Sequence, residues 1–403
     1  MAELGRYQAP EQLSRYRAAF LGLGGIALLA CAVGAYMSPE QGLRSWLLGF
    51  IFWGGISIGS IGLLMLQYLT GGAWGVVIRR ILEASSRTLI VSFLAFVPIM
   101  IGVSSLYEWT HLPADDFTVI QRGAFQTPFW WIVRSLAYFA VFGLIAFLLS
   151  DWSAKQDRSK DYEEGAVWLG RATAFSGPAI IFFVLAVTFA SVDWVMSLDP
   201  HWFSTMFGLL FVIGWALSTL CLVVIMLYYT GQFAPMNRVL GKRHLHDIGK
   251  LMLAFVMVWT YFNFSQFLII WSGNIPEETP WYLTRLSHGW QWVGAILLIF
   301  HFVFPFLILL QQDFKRRARQ LAWLAGFILV MRLVDMFYLI APNPRIDTSI
   351  PKGAFVLSWM DIAAPVAIGG FWLWFFLGQY ISRPVVPVMD PFLDNAIKHG
   401  QGH

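Results

Sequence analysis

The sequence predicts an all-α polytopic membrane protein with ten transmembrane helices. Of its 403 residues, 58% are hydrophobic and only 12% are charged, whereas a soluble domain carries roughly 25% charged residues. This supply of charge is too small for a water-facing surface, which excludes a soluble enzyme, a disordered chain and a nucleic-acid-binding domain. The 20 Trp and 35 Phe residues are typical of a membrane protein with many interfacial aromatic side chains.

The apolar stretches have the length of membrane-spanning helices. About 20 residues cross roughly 30 Å of hydrocarbon as an α-helix, and stretches of this length exclude a barrel with alternating strands of about 10 residues. The ten predicted helices, in chain order, cover residues 18–37, 46–70, 88–109, 128–150, 173–197, 203–229, 247–271, 288–311, 319–341 and 355–381.

Residues 1–403 are predicted to form a single integral-membrane domain. The connections between the apolar stretches are short and contain no inserted soluble domain. Residues 1–17 are expected to be an N-terminal segment and residues 382–403 a C-terminal tail, both outside the membrane.

The distribution of Lys and Arg predicts the orientation of the chain. The N-terminal segment, the even-numbered loops and the tail carry 20 of the 27 Lys and Arg residues, and the odd-numbered loops carry 5. Cytoplasmic loops carry an excess of these cations, so both termini are expected in the cytoplasm. The net charge of +4 then reflects this topology and the anionic inner leaflet, and needs no nucleic-acid partner.

Polar side chains inside the predicted spans are the candidate functional residues, because such groups are costly at membrane depth. In the inner half of the membrane we expect few of them, namely Gln67 and the neighbours His246 and Asp247. His301 is predicted near the midplane. The others are predicted in the outer half, which favours a site for protons, ions or a polar headgroup that opens outward; they are Glu108, His111, Arg134, Asp193, Asn263, Gln266, His288, Arg332, Asp335 and Asp361.

Five of these residues are candidates for a proton relay, since carboxylates and imidazoles in an apolar bundle can exchange protons near neutral pH. They are Asp193, His301, Asp335 and Asp361, with Arg332 beside Asp335. Structural alternatives stay open for each. Arg332 and Asp335 are three residues apart and could neutralise each other, and His301 could bond to a neighbouring helix.

The chain offers no ligand set for a redox cofactor or a metal. His288 and His301 lie on one predicted helix, and a membrane b-type heme needs matching His residues on a partner helix. Cys31 and Cys221 are the two Cys residues and both lie in apolar runs, which argues against a disulfide, zinc or iron–sulfur framework. Glycine-rich nucleotide motifs, P-loops and HExxH sequences are also missing.

Two features of the chain suggest internal order and partners. Helices two to five (46–197) and six to nine (203–341) could form two parallel four-helix bundles, flanked by helices one and ten.

The outer loops between helices five and six and between seven and eight combine Pro, acidic and aromatic residues. If Trp202, Trp281 and Tyr282 are exposed, they create an apolar surface for partner subunits. The alternative is that these loops are well-ordered helix caps.

Four segments carry a resemblance to a known family. They are Ser191-Val192-Asp193-Trp194 with the loop that continues to Ser204-Thr205, His246-Asp247-Ile248-Gly249-Lys250, Phe264-Ser265-Gln266-Phe267, and Asn274-Ile275-Pro276-Glu277-Glu278-Thr279. These segments resemble the ActF-type membrane subunit of alternative complex III, within the NrfD/polysulfide-reductase membrane-anchor family. The resemblance covers residues from about 170 to 345, and elsewhere it rests on helix number and length.

This resemblance implies a subunit of a bacterial respiratory or photosynthetic quinol:cytochrome c (or other electron-carrier) oxidoreductase in the cytoplasmic membrane. It implies two four-helix bundles and, as partners, a second NrfD-like subunit, a periplasmic iron–sulfur subunit and c-type cytochromes. The iron–sulfur clusters and hemes belong to those partners, and this chain is expected to hold no cofactor and to contribute to proton translocation. Quinol is the substrate of such a complex; here Glu108 or His111 would accept its proton, with Arg134 orienting the headgroup.

Two other functions remain as alternatives. The chain could be an independent secondary transporter of a small ion or solute, which predicts discontinuous helices around a midplane site. It could also be a purely structural membrane scaffold, in which no buried ionisable residue affects turnover.

Overall fold

The protein is a helical membrane protein, as the sequence predicts. The computed structural model describes residues 8–10, 12–347 and 349–401, so parts of the predicted N-terminal segment, including Arg6, and the last two residues of the tail lie outside the described residues. Ten helices in the described residues are long and apolar enough to cross a membrane. No β-strand occurs among these residues.

The spanning helices, named α1 to α10 in chain order, extend beyond the predicted stretches at ten of their twenty ends. Their caps follow the sequence: Thr127 and Asp161 accept hydrogen bonds from backbone N–H groups at the starts of two helices, as N-cap residues do. The helices are α1 Gln12–Met37, α2 Pro39–Thr70, α3 Ala73–Ile101, α4 Pro128–Asp157, α5 Tyr162–Leu198, α6 Phe207–Thr230, α7 Lys242–Gly273, α8 Trp290–Leu310, α9 Ala318–Ile340 and α10 Met360–Ile381.

Shorter helices lie between and after the spans. The short α-helices are Val103–Leu106, Phe117–Arg122, Met236–Val239, Thr279–Arg285, Gln312–Arg316 and a C-terminal helix, Leu393–Gln401. The C-terminal helix packs against the first half of α3 and against α7, so the predicted tail is folded onto the membrane domain.

The largest difference from the predicted boundaries concerns α3. The sequence analysis treats residues 71–87 as a loop, but Ala73–Arg87 is helical and most of its residues are buried. A break at Thr88 separates it from Leu89–Ile101. The loop prediction is wrong because the Arg residues of this segment find carboxylate partners inside the bundle, as described below.

Helices α2 and α6 form the centre of the packing. In their most apolar windows 89% and 78% of residues are buried, against 22% in each of α1, α7 and α8. Helix α2 contacts α3, α5 and α6, whereas α6 contacts α5, α7 and α9, and α1 packs along α10. Gly55 and Gly59 of α2 lie where a Cβ atom would overlap Trp215 of α6, so these two helices approach closely. The predicted division into two four-helix bundles stays a prediction.

The connections lie on two opposite faces of the bundle. The terminus face contains residues 71–72, 158–161, 231–241, 311–317 and 382–401. The loop face contains residues 38, 102–127, 199–206, 274–289, 341–347 and 349–359. On the loop face, Lys352 is the exposed cation among the described residues. The terminus face and its adjoining helix ends expose Arg15, Lys155, Arg158, Lys160, Arg171, Arg238, Lys242, Arg243, Lys250, Arg316, Arg317, Arg319 and Lys398.

Candidate functional site

A cluster of buried polar side chains joins α7, α8 and α9. Arg332 and Asp335, three residues apart on α9, form an ion pair, and their side chains are 1% and 5% exposed. The Trp259 indole N–H on α7 donates to Asp335 Oδ2 at 3.2 Å. The ring of His301 on α8 lies with its centroid 4.0 Å from that of Trp259. The structure thus brings three predicted relay residues together through one indole.

The backbone of α8 is distorted at the histidine of this cluster. His301 lies in a π-helical segment, Leu297–Val303, and such segments occur frequently at functional sites. Pro305 follows four residues later and has no N–H for the His301 carbonyl group, which removes one α-helical hydrogen bond. The His301 side chain is fully buried, and neither ring nitrogen has a hydrogen-bond partner, which is unusual for a buried polar group.

A second cluster joins α4 and α5 near the loop face. Arg134 donates to both carboxylate oxygens of Asp193 at 2.8 Å, and the Tyr138 hydroxyl donates to the same carboxylate at 2.7 Å. The pair lines a cavity of about 210 Å³, whose walls include Trp131 and Trp202. A predicted quinol contact and a predicted relay residue are therefore each other's partner.

Asp361 lies in a third, separate cluster at the start of α10. Its carboxylate accepts from Ser45 Oγ at 2.6 Å and from Gln41 Nε2 at 3.1 Å, both on α2. It also accepts from the backbone N–H of Ser358 at 2.8 Å. No contact links this cluster to Asp335 in the described residues, so the relay candidates occupy three places in the bundle.

The other predicted quinol contacts lie apart from Arg134. Glu108 faces Lys352, with 3.7 Å between carboxylate and ammonium group. His111 is exposed, and its Nδ1 lies 2.9 Å from the hydroxyl group of its neighbour Thr110. Neither residue lines the cavity beside Arg134, so the three predicted contacts do not converge there.

The two outer loops pack against each other within the chain. Trp202 and Trp281 are 2% and 5% exposed, and their rings stack with centroids 4.4 Å apart. Tyr282 accepts a hydrogen bond from Gln266 of α7 at 3.2 Å, and burial raises its pKa to about 12. The expectation that Trp202 and Trp281 are exposed is wrong, because their intramolecular stack removes both indoles from the surface. Contact of these loops with partner subunits stays a prediction.

Two buried arginines hold the loop-face end of α9. Arg285 donates to the carbonyl oxygen of Leu339 and to Asn343 Oδ1, each at 3.1 Å. Arg44 donates to the carbonyl oxygen of Asn343 at 3.0 Å. Burial lowers the pKa of Arg285 to about 9, so the guanidinium is still cationic at neutral pH and complements the negative end of the helix. The sequence analysis counts Arg44 and Arg285 among the cations of the outer loops. In the structure they are buried and donate to carbonyl groups at the end of α9.

A charged cluster near the terminus face is missing from the sequence prediction. Arg79 Nη1 lies 2.6 Å from Asp390 of the tail, and Arg80 bonds both Glu83, at 2.7 Å, and Asp157 at the end of α4. The side chains of these five residues are 0–9% exposed. The sequence analysis names only Gln67, His246 and Asp247 for this end of the spans, and this cluster adds five charged residues to them. The spacing of Arg80 and Glu83 on one helix face is the signal that could have revealed it.

No family model matches the chain, and a search of curated proteins found no match. Within the described residues no group of three or more His, Cys, Asp or Glu side chains is arranged to hold a metal ion. The functional argument therefore rests on the geometry above and on the sequence motifs.

Proposed function

We propose that this chain is an integral-membrane subunit of a bacterial respiratory or photosynthetic quinol:electron-acceptor oxidoreductase of the alternative complex III type. Its role in the complex is to contribute to proton translocation. The observation that carries the proposal is the buried cluster of Arg332, Asp335, Trp259 and His301, in a chain whose motifs resemble that family. Ionisable side chains at membrane depth mark proton and ion pathways.

In this proposal Asp335 takes up and releases the proton, and Arg332 is its counter-ion. The Trp259 N–H orients the carboxylate. An indole is a donor only and passes no proton, so transfer between Asp335 and His301 runs through water. Neither ring nitrogen of His301 has a partner, and the nitrogen that carries no proton is the acceptor for that water. The iron–sulfur clusters are assigned to a periplasmic iron–sulfur subunit and the hemes to c-type cytochrome subunits. A second NrfD-like membrane protein is the proposed partner beside this chain in the membrane.

Quinol binding is a separate part of the proposal and has less support. The cavity beside Arg134 measures about 210 Å³, below the usual 300–1,000 Å³ of small-molecule sites, so it accommodates a headgroup at most. All three guanidinium nitrogens of Arg134 already donate, Nε and Nη2 to Asp193 and Nη1 to the Phe125 carbonyl group. A headgroup would therefore meet the rim of this cavity, where Arg122 and Gln126 lie.

An independent transporter is supported less well than a subunit. Transporters of this size place substrate at unwound helix breaks. Here the break in α3 at Thr88 keeps right-handed helical angles, φ −68° and ψ −3°, and the π-helical segment of α8 stays helical. A pure scaffold would not need a carboxylate and an imidazole in its interior.

Purification separates these functions. We would tag the chain in its native host, extract it in mild detergent, and record optical spectra before and after addition of quinol. The expected result is copurification with c-type heme and non-heme iron, with heme reduction by quinol. A chain that purifies alone, without heme and without quinol oxidation in the remaining fractions, would overturn the proposal; solute uptake by that chain in vesicles would establish the transporter.

A further inference from the structure

A long lateral groove runs between α3, α4 and α10. Its volume is about 990 Å³, close to the upper end for ligand sites. On α4 it extends from Leu136 to Arg158, which is roughly 33 Å at 1.5 Å per residue. This length exceeds about 15 Å, half the hydrocarbon core, so the groove reaches from the terminus face well into the membrane.

The deep part of the groove is apolar and faces outward. Ile90, Leu136 and Phe147 are 56%, 42% and 67% exposed, and the remaining wall consists of similar side chains. A Cβ atom added at Gly143 would meet nothing within 4 Å, so this glycine opens onto free space in the wall. The other apolar lining residues are Leu89, Phe93, Phe139, Ala140, Ala146 and Phe375.

The end at the terminus face is polar and cationic. Its lining contains four cations and one carboxylate, which are Arg87, Lys155, Arg158, Arg383 and Asp151. Asp151 pairs with Lys155 at 2.7 Å. Behind the lining, Arg80 forms ion pairs with Glu83 and Asp157. Glu83 also lies 3.9 Å from Arg87 and 3.6 Å from Arg383. The five cations and three carboxylates leave two positive charges in excess.

Arg87 carries the most specific feature of this end. Its Nε donates to Ser150 Oγ at 2.8 Å, which fixes the side chain. Its Nη2 is buried and has no hydrogen-bond partner. The carboxylate oxygen paired with it, Glu83 Oε2, lies 3.9 Å away, beyond hydrogen-bond range. A buried, charged donor without a hydrogen bond is costly, and an oxygen of a phosphodiester would supply one.

We propose that this groove binds one anionic phospholipid, with its phosphodiester against Arg87 and Arg158 and an acyl chain along Gly143. Cationic pockets between transmembrane helices recognise anionic lipid headgroups, and a groove open to the bilayer admits a lipid laterally. The charge at its mouth argues against a neutral quinone as the occupant. This site is independent of the function proposed above.

Native mass spectrometry of the purified full chain, within whatever complex it forms, tests the site. The probes are phosphatidylglycerol and phosphatidylcholine with identical acyl chains, inorganic phosphate, and a quinone. Each Lys or Arg near a lipid headgroup changes affinity by about fivefold. We expect the native protein to retain phosphatidylglycerol. Its preference for phosphatidylglycerol over phosphatidylcholine should be about fivefold weaker in Arg158→Gln and about 25-fold weaker in Arg87→Gln plus Arg158→Gln.

Gly143→Leu tests the acyl chain without changing charge. It fills the open space at a helical position where Leu is a better helix former, so folding should persist, and we expect loss of both lipids. The matched control is Lys242→Gln plus Arg243→Gln, two exposed cations of the terminus face outside the groove, which should leave the preference unchanged. Equal binding of the two lipids, lipid retention in Gly143→Leu, displacement by inorganic phosphate alone, or displacement by quinone would each overturn the proposal.

Discussion

Removal of both charges of the Arg332–Asp335 pair separates a proton-carrying role from a structural one. Asp335→Asn alone leaves a buried guanidinium without its counter-ion, because the Arg332 side chain is only 1% exposed. Breaking a buried pair in this way costs about 3–5 kcal/mol, so loss of assembly in the single variant would say nothing about proton transfer. Asp335→Asn plus Arg332→Gln removes the stranded cation as well.

The double variant keeps most of the local packing. An Asn side-chain oxygen at position 335 still accepts from the Trp259 N–H, which lies 3.2 Å from the carboxylate. Ser218 loses a weak bond from Arg332 Nε at 3.4 Å but keeps its bond to the Gly214 carbonyl group at 3.0 Å. Replacing both members of a buried ion pair is often neutral, so we expect assembly with stability within about 1–2 kcal/mol of the native protein.

A matched control uses a pair outside the proposed relay. Arg79→Gln plus Asp390→Asn removes a pair of equal burial, 2.6 Å long, near the terminus face. Both double variants would be measured for heme content per complex, quinol oxidation, and protons released per electron in vesicles. We expect a lowered proton yield in the Asp335 variant only. An assembled Asp335 double variant with the native proton yield would refute the relay.

The remaining predictions concern topology and packing. A periplasm-active alkaline phosphatase fused after the C-terminus should be inactive, because the exposed cations of the described residues, apart from Lys352, lie on the terminus face and its adjoining helix ends and cytoplasmic faces carry the excess of cations; an active fusion would reverse the orientation. Gly24→Leu should lower thermal stability by about 1–3 kcal/mol through overpacking, since a Cβ there lies 3.1 Å from the α10 backbone. Gly25→Leu, whose Cβ meets nothing within 4 Å, is its control, and equal melting temperatures would contradict the close helix contact. Trp202→Ala should cost about 3–5 kcal/mol because it empties the stack with Trp281, while Trp292→Ala, at a side chain 69% exposed, should cost little. Equal losses in a thermal melt would show that the stack adds no stability.

Long-range partners explain where the sequence prediction was incomplete. Residues 71–87 resemble a cationic loop in the sequence, because Arg79, Arg80 and Arg87 lie close together there and the Asp residues that pair with Arg79 and Arg80 do not. Their helix enters the bundle because Asp157 and Asp390 supply opposite charge from positions 77 and 311 residues further along the chain. A buried charge is tolerated only with such a partner, and no local pattern reveals one at that separation.

The sequence by itself determined the membrane class, the ten spans and the asymmetry of charge between the two faces. These properties depend on the length of local apolar runs and on the loop in which each cation lies, and both can be counted along the chain. Local spacing also predicted the Arg332–Asp335 pair, because three residues on a helix bring two side chains together. Only the tertiary structure decided that Arg134 is bound to Asp193, that Trp202 stacks on Trp281, and that His301 meets Asp335 through an indole from a third helix. The physical reason is that each of these contacts depends on how separate helices pack, which is set by the shapes of whole helix surfaces and not by the neighbours of a residue in the chain.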